Sequence, residues 1–467
     1  MRSGTEEDRS LSSRLPVVMI GAGPVGLAAA VHLAARGQRF TVLEAGPAVG
    51  THLDAWGHVQ VFSPWRYNVD PLARTRLQHA GWTEPDPEAL PTGAELVTGY
   101  LQPLAKLPEL EAHIRFGARV TAVARTTHDK MKTGGRERAP FEVRVRTATG
   151  EESLLARAVI DASGTYAMAN PLGSNGLAAV GEPECRAQIF YGIPDVLGSA
   201  RERYAGRAVA VVGSGHSAFN ALLELARLGE IAPATTITWV VRRDDVAGAY
   251  GGGVADALPA RGNLGARLRT LVDAGRIRLA SGFRTHRLER TERGIALRDA
   301  AGRVVGPVDE IVAVTGFRPD LAMLGELRLD LDPAVECPRA LASLIDPNVH
   351  SCGTVPPHGA DELRHPEPGF YIVGMKSYGR APTFLMLTGY EQVRSVVADL
   401  CGDLEAARRV ELTLPATGVC SATPGVAEGC CDTAAPAAGC GTGAAEDSKG
   451  CCAPAAPTLI PGLGRKA

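Results

Sequence analysis

The stretch Gly21-Ala22-Gly23-Pro24-Val25-Gly26 follows an apolar run at 16–20 and opens a helix-like stretch at 27–35. A second stretch of the same kind, Gly213-Ser214-Gly215-His216-Ser217-Ala218, follows apolar residues 208–212 and precedes an apolar-periodic stretch at 219–228. In a strand–turn–helix of this type the first glycine permits the tight turn, and the second lets the backbone approach a pyrophosphate. The third, which can be alanine, lets helix and strand pack closely. The pyrophosphate then rests on the free N–H groups and positive end of the helix. One such pattern is weak evidence. Two, each set between a strand and a helix, predict an α/β chain with two Rossmann-like dinucleotide-binding domains, the second inserted into the first.

The residues that close the following strand separate the two nucleotides. Phe40-Thr41-Val42-Leu43-Glu44 ends in a carboxylate, which suits ribose hydroxyls and repels a 2′-phosphate. That predicts the adenosine end of FAD, with NAD as the alternative. Ile237-Thr238-Trp239-Val240-Val241-Arg242-Arg243 ends in paired guanidiniums, which suit a 2′-phosphate. That predicts NADPH, against the plainer reading of a solvated strand end. Two nucleotides in one chain point to electron transfer from a nicotinamide to a flavin.

With 467 residues the chain exceeds one ordinary core. Its apolar fraction of 45% and charged fraction of 21% are those of a soluble globular protein. A net charge of −2 argues against a nucleic-acid partner. No apolar run approaches the roughly 20 residues needed to span a bilayer. Residues 1–14 are polar and mixed in charge, unlike a signal peptide. They are expected to form a disordered leader on a cytoplasmic protein whose thiols stay mostly reduced.

The expected domains are residues 15–170 for the first part of the FAD-binding domain, 171–323 for the NADPH-binding domain, and 324–414 for the returning part of the first. Residues 51–70 carry Trp56, Phe62, Trp65, Tyr67 and Asn68. They form either core or one wall of the flavin-ring pocket, with Trp56, Trp65 and Asn68 as candidate contacts. A helix is expected at 95–104, strands at 119–125, 141–147 and 156–161, and a polar hairpin loop at 130–138. Asp161-Ala162-Ser163-Gly164 places small residues, Ser163 and Gly164, where a strand end would pass close to a dinucleotide. Thr315 and Gly316 form a similar small turn closing the second domain. Gly374, ending the buried stretch from Phe370, and Thr383, opening a helix expected at 383–400, are candidates for flavin ribityl and ring contacts. Residues 415–467 are rich in Ala, Gly, Pro and Thr with almost no large apolar side chains, so they are expected to be disordered.

Six of the ten cysteines lie in that tail: Cys420, Cys430, Cys431, Cys440, Cys451 and Cys452. Adjacent thiolates such as Cys430-Cys431 and Cys451-Cys452 do not readily close an unstrained disulfide. They can jointly ligate a soft ion such as Cu(I), Zn, Hg(II), or trivalent arsenic or antimony. The plainer reading is an inert tail. Cys337 and Cys352 are either structural or a thiol pair that captures a thiophilic substrate. Cys185 and Cys401 suit packing. No C-x-x-C is present, nor a C-x4-C after the first turn, which argues against a redox dithiol centre. The second turn is no G-x-S-x-G elbow, so serine hydrolysis has no support.

Both glycine turns, Val314-Thr315-Gly316-Phe317 and Asp161-Ala162-Ser163-Gly164 resemble those of two-dinucleotide-domain flavin-dependent monooxygenases. More closely, the chain resembles the flavoprotein monooxygenases encoded with arsenic-resistance genes over about residues 15 to 410. That likeness rests on residues 62–68, Pro91-Thr92-Gly93-Ala94-Glu95-Leu96, Gly374-Met375-Lys376-Ser377-Tyr378-Gly379-Arg380-Ala381-Pro382-Thr383 and Gly389-Tyr390-Glu391-Gln392-Val393-Arg394-Ser395. The wider monooxygenase pattern F-x-G-x-x-x-H is kept at Phe190 and Gly192 but has Val196 in place of its histidine. This departure weakens any transfer of Baeyer–Villiger or N-oxidation chemistry.

The resemblance implies an NADPH-dependent FAD monooxygenase that takes oxygen and a small soft nucleophile as substrates. Trivalent arsenic or antimony, or an organoarsenical, would suit it. The cofactor carries the oxygen chemistry and the protein positions it, so the sequence names no catalytic acid, base or nucleophile. Two alternatives remain. One is a flavoprotein reductase or oxidase acting on a quinone, a disulfide or oxygen. The other is a thiophilic metal-sequestering protein working through its cysteine tail.

Overall fold

Val17, Val18 and Met19 are fully buried, so the first strand, β1 (Val17–Ile20), has no solvent face. Its side chains alternate between two cores, as the period of a strand requires. Val17 and Met19 pack with helix α1 (Pro24–Ala35), while Val18 and Ile20 pack on the other side. A strand covered on both faces belongs in a parallel sheet. β1 accordingly pairs in parallel with β2 (Phe40–Leu43) and with β7 (Ala158–Asp161). β3 (Ile114–Arg115) and β16 (Phe370–Ile372) complete the order β16-β7-β1-β2-β3. The second face is covered by an antiparallel meander of β4 (Arg119–Arg125), β5 (Phe141–Thr147) and β6 (Gly150–Ala156). The computed structural model describes residues 14–250, 259–346, 355–381 and 384–412.

The same design recurs after β7. β9 (Ala208–Val212) sends Val209 and Val211 against helix α2 (His216–Ile231), and Ala210 and Val212 to the opposite face. The sheet order is β11-β10-β9-β15-β8, all parallel, with β8 (Ile189–Tyr191), β10 (Thr236–Val240), β11 (Arg278–Ala280) and β15 (Glu310–Ala313). Its second face carries the meander of β12 (Thr285–Thr291), β13 (Gly294–Asp299) and β14 (Val304–Val308). Each domain is thus a parallel sheet with helix on one side and a three-stranded antiparallel sheet on the other.

The chain leaves the first sheet at Asp161, builds the second, and returns as β16, whose Phe370, Tyr371 and Ile372 pair with Val159, Ile160 and Asp161 of β7. The second domain is inserted into the first, as the two turns imply. The two connections cross between domains side by side: Asn170 N–H donates to Gly316 O at 2.9 Å, and Arg318 N–H donates to Met168 O at 2.9 Å. Helix α3 (Met386–Leu400) then packs on α1.

Several elements differ from expectation in detail. The strand expected at 156–161 is two, because the chain passes from the meander to the parallel sheet between Ala156 and Ala158. The helix expected at 95–104 starts at Gly93, behind a capping box of Thr92 and Glu95, and contains a π-turn at Val97–Leu101. The expected polar loop at 130–138 is polar but not free. Its Arg136 is 3% exposed and shares the Glu367 carboxylate with Arg125. Arg125 Nε donates to Glu367 Oε1 at 2.8 Å, Arg136 Nη2 to Oε2 at 2.7 Å, and Arg328 N–H to Oε2 at 3.1 Å. The expected leader and cysteine tail lie outside the described residues, apart from Arg14.

Burial opposes ionisation of Glu367, but the two guanidiniums and the Arg328 N–H outweigh it and hold the carboxyl below its ordinary value. Glu367→Gln leaves two buried guanidiniums short of a counter-charge. It is expected to lower unfolding free energy by about 3–5 kcal/mol in denaturant titrations at neutral pH. Because the folded pKa is depressed, the difference between variant and parent should shrink as pH falls through it. A constant difference down to acid pH would contradict this account.

Candidate functional site

Both glycine turns sit at the carboxyl ends of their sheets, between a central strand and its helix. Gly21 has φ +102°, and a side chain there would lie 2.9 Å from Ala162 O, at the end of the neighbouring strand β7. A side chain at Gly26 would strike Gly21 O. Both glycines are therefore required by the chain itself. Gly23 differs: its φ is −81° and nothing lies within 4 Å of where its side chain would be. Pro24 follows as the first residue of α1, whose N-cap makes no side-chain hydrogen bond. The chain supplies no reason for glycine at position 23. Glycine there leaves the backbone open to approach from outside the chain.

The second turn repeats this logic. Gly213 has φ +141° and would clash with Val314 O, 2.4 Å away at the end of β15, whereas Gly215 faces open space. Trp239 Nε1 donates to Gly213 O at 2.7 Å and fixes the turn against β10. Ser217 is exposed on the first turn of α2, and Ala218 is fully buried against the sheet.

The ends of the next strands differ in charge and surroundings. Glu44 is held at the first turn, accepting Ala22 N–H at 2.8 Å and Gly46 N–H at 2.7 Å. Arg242 and Arg243 are exposed and line a cleft of about 550 Å³ with Ser174, Asp244, Asp245 and Arg284.

Beside the first turn lies a buried polar network that the motifs do not announce. Lys376 Nζ donates to Asp161 Oδ2 at 2.6 Å, with both side chains at 0% exposure. It also donates to Ser163 Oγ at 3.1 Å, and Ser163 Oγ donates to Asp161 Oδ1 at 2.6 Å. Gly374, with φ +68°, donates its N–H to Gln392 Oε1 at 2.7 Å and packs against Val25 in the first turn of α1. Gln392 Nε2 donates to Ser377 Oγ at 2.9 Å and to His358 Nε2 at 2.8 Å. His358 Nε2 is therefore an acceptor, and its Nδ1–H donates to Pro356 O at 3.0 Å. Burial lowers the pKa of this ring, in keeping with its neutral form. Gly164 has φ +68° and faces open space.

Where the domains meet, the Phe62 ring lies 5.5 Å from that of His216 in the second turn, and Tyr166 stacks on Phe317 at 4.7 Å. Within the expected aromatic wall, Phe62 therefore faces the second domain. Trp65 is buried in the first core, Trp56 is half-buried over Gly93, and the buried Asn68 amide closes a turn with Ser63 and Pro64. Thr315 Oγ1 donates to Asn170 O at 2.6 Å, so Thr315 and Gly316 belong to the interdomain crossing. Burial, reinforced by Asp195, pushes Glu224 of α2 up to about 7.

Cys337 is fully buried in the first core, and burial pushes its thiol up to about 12, which opposes thiolate formation. Val196 is fully buried in the second core. Among the described residues no group of three or more His, Cys, Asp or Glu could hold a metal ion. Thr383, Cys352, Cys430, Cys431, Cys451 and Cys452 lie outside the described residues. Lys376, His216, Ser174 and Arg284 were not singled out in the sequence. Their partners come from distant segments, so no local spacing marks them.

Residues 18–335 match the family described as pyridine nucleotide-disulphide oxidoreductase. A curated relative, the indole-3-pyruvate monooxygenase of Oryza sativa subsp. japonica, is 30% identical over 232 residues, which cover 45% of this chain and 45% of that protein. The chain thus spans less than half the length of that relative. Among solved structures, the bacillithiol disulfide reductase of Bacillus cereus superposes with a TM-score of 0.59 at 19% identity, covering 82% of this chain and 99% of the other. The FAD-bound cadaverine monooxygenase of Erwinia amylovora gives a TM-score of 0.58 at 13% identity, covering 86% of this chain and 99% of the other. These likenesses show the fold.

The two kinds of glycine separate experimentally. Gly21→Ala is expected to lower the thermal midpoint, through positive-φ strain and the Ala162 contact. Gly23→Ala should leave the midpoint of the flavin-free protein nearly unchanged yet reduce FAD retained on purification, read from visible absorbance. Equal loss of stability in both variants would contradict the assignment.

Proposed function

The chain belongs to the pyridine nucleotide-disulphide oxidoreductase family, and on that premise we propose that it is an NADPH-dependent FAD monooxygenase oxidising trivalent arsenic or antimony, or organoarsenicals, to pentavalent forms. It is a flavin-dependent oxidoreductase with FAD and NADPH as cofactors. The observation that carries the assignment of sites is the pair of turns whose second glycine faces open space, only one of which is followed by two arginines.

The first turn, with Glu44, Ser163, Gly164 and Gly374, would hold FAD. The second, with Ser217, Ala218, Arg242 and Arg243, would hold NADPH. When bound, the two cofactors supply hydride transfer and oxygen activation. The chain's own residues bind and orient. The α1 N-terminus and the open backbone at Gly23 take the pyrophosphate, and Glu44 takes the adenosine ribose. The Asp161–Lys376–Ser163 network fixes the strand ends on which the reactive end of FAD would rest. Phe62 and His216 meet at the seam and help exclude water between the two nucleotides.

The overall reaction joins one oxygen atom of O2 to the lone pair of the metalloid. The other leaves as water, and NADPH and a proton supply two electrons and two hydrogens. A substrate that is itself the nucleophile requires no side-chain base. The rice relative and the Erwinia structure, both monooxygenases, support oxygenation. The metalloid rests on the resemblance in stretches such as Gly374 to Ala381. A reductase or oxidase is the second reading, favoured by Val196, buried where monooxygenases keep a histidine. The proposed setting is cytoplasmic. No helix among the described residues is long and apolar enough to cross a membrane.

NADPH oxidation should be followed aerobically with arsenite, methylarsenite and antimonite, with product speciation and hydrogen peroxide measured together. Pentavalent product equal to NADPH consumed, with little peroxide, is the expected result. Peroxide alone, indifferent to every metalloid, would overturn the monooxygenase reading. NADPH oxidation driven only by a quinone or disulfide would establish the reductase.

A further inference from the structure

We infer that Arg284 is the third guanidinium of the 2′-phosphate subsite, engaged in the free protein by Asp244, an internal anion that competes with the ligand. This rests on the NADPH reading of the second domain. Beyond β10 the chain runs against the loop that precedes β12. Val241 N–H donates to Ala280 O at 3.0 Å, Phe283 N–H to Val241 O at 2.9 Å, and Gly282 N–H to Arg243 O at 2.7 Å. These bonds fix Arg284 on the same cleft as Arg242 and Arg243. Ser174, from the segment entering the second domain, is fixed there by its N–H bond to Thr285 O at 3.0 Å. It adds a neutral hydroxyl to the lining.

The cleft of about 550 Å³ carries three guanidiniums against two carboxylates. Asp245 Oδ1 is engaged by Ala247 N–H at 2.8 Å, within its own turn. Asp244 Oδ2 accepts Arg284 Nη2 at 3.0 Å. Gly282, with φ +62°, makes room for this, because a side chain there would lie 2.4 Å from Asp244 Oδ1. Among the described residues neither Arg242 nor Arg243 pairs with a carboxylate.

The Asp244–Arg284 pair is solvent-exposed, at 77% and 57% of the two side chains, so it is weak and easily exchanged. A phosphate dianion offers more charge and more acceptor oxygens than a single carboxylate and takes planar guanidinium pairs well. It would draw Arg284 away from Asp244. Arg284 thereby adds selectivity for the phosphorylated ribose, and Asp244 opposes it.

The test is equilibrium titration of the purified holoenzyme with adenosine 2′,5′-bisphosphate and with adenosine 5′-monophosphate. The parent protein should prefer the bisphosphate. Arg284→Ala should weaken bisphosphate binding about tenfold, the scale of one charge-assisted hydrogen bond, and leave the monophosphate nearly unchanged. Asp244→Asn should tighten the bisphosphate. Parent-like bisphosphate binding in Arg284→Ala, or equal loss of both ligands, would overturn the assignment of Arg284. Weaker bisphosphate binding in Asp244→Asn would overturn the role of Asp244. A parent protein without preference for the bisphosphate would instead overturn the NADPH reading itself.

Discussion

The ion pair between Asp161 and Lys376 joins two halves of a domain that the sequence keeps far apart. Asp161 ends β7, where the chain departs for the second domain, and Lys376 follows β16, where it returns. Both side chains are withdrawn from water completely. Such a pair repays its desolvation only when the remaining donors and acceptors are well matched. Here Asp161 receives the ammonium on one oxygen, and the Ser163 hydroxyl and N–H on the other. The result is geometric definition at the edge of the sheet where the first glycine turn opens. Because Gly21 also presses on Ala162, the first glycine turn, the β7 exit and the β16 exit are positioned as one unit.

The second domain positions its first glycine in the same way. Gly213 presses on Val314 at the end of β15 as Gly21 presses on Ala162 at the end of β7. In each domain the backbone of a third strand thus forbids a side chain on the first glycine, while open space surrounds the second. What distinguishes the domains is electrostatic. A carboxylate, Glu44, closes one strand, and a cleft with three guanidiniums closes the other. On the proposed reading, this difference would sort the two nucleotides to different ends of one repeated scaffold. The paired crossings at Met168–Asn170 and Gly316–Arg318 and the Phe62–His216 contact join the halves.

The sequence by itself determined the two turns, their flanking strands and helices, the acidic and basic strand ends, and the insertion of one domain in the other. These rest on short-range rules: a glycine that must take positive φ, a proline that opens a helix, an apolar run buried on both faces. Only the tertiary structure decided which aromatic residues face the seam. Trp65 and Asn68 turn into the first domain while Phe62 meets His216. It likewise decided that Arg136, in a stretch polar enough to look like free loop, is buried on Glu367. Lys376 finds its partner at Asp161, and Arg284 reaches the cleft of Arg242 and Arg243, in the same way. The physical reason is that a charge is legible in a sequence, but its counter-charge is not. That partner is chosen when the chain folds back on itself, and no local spacing records it.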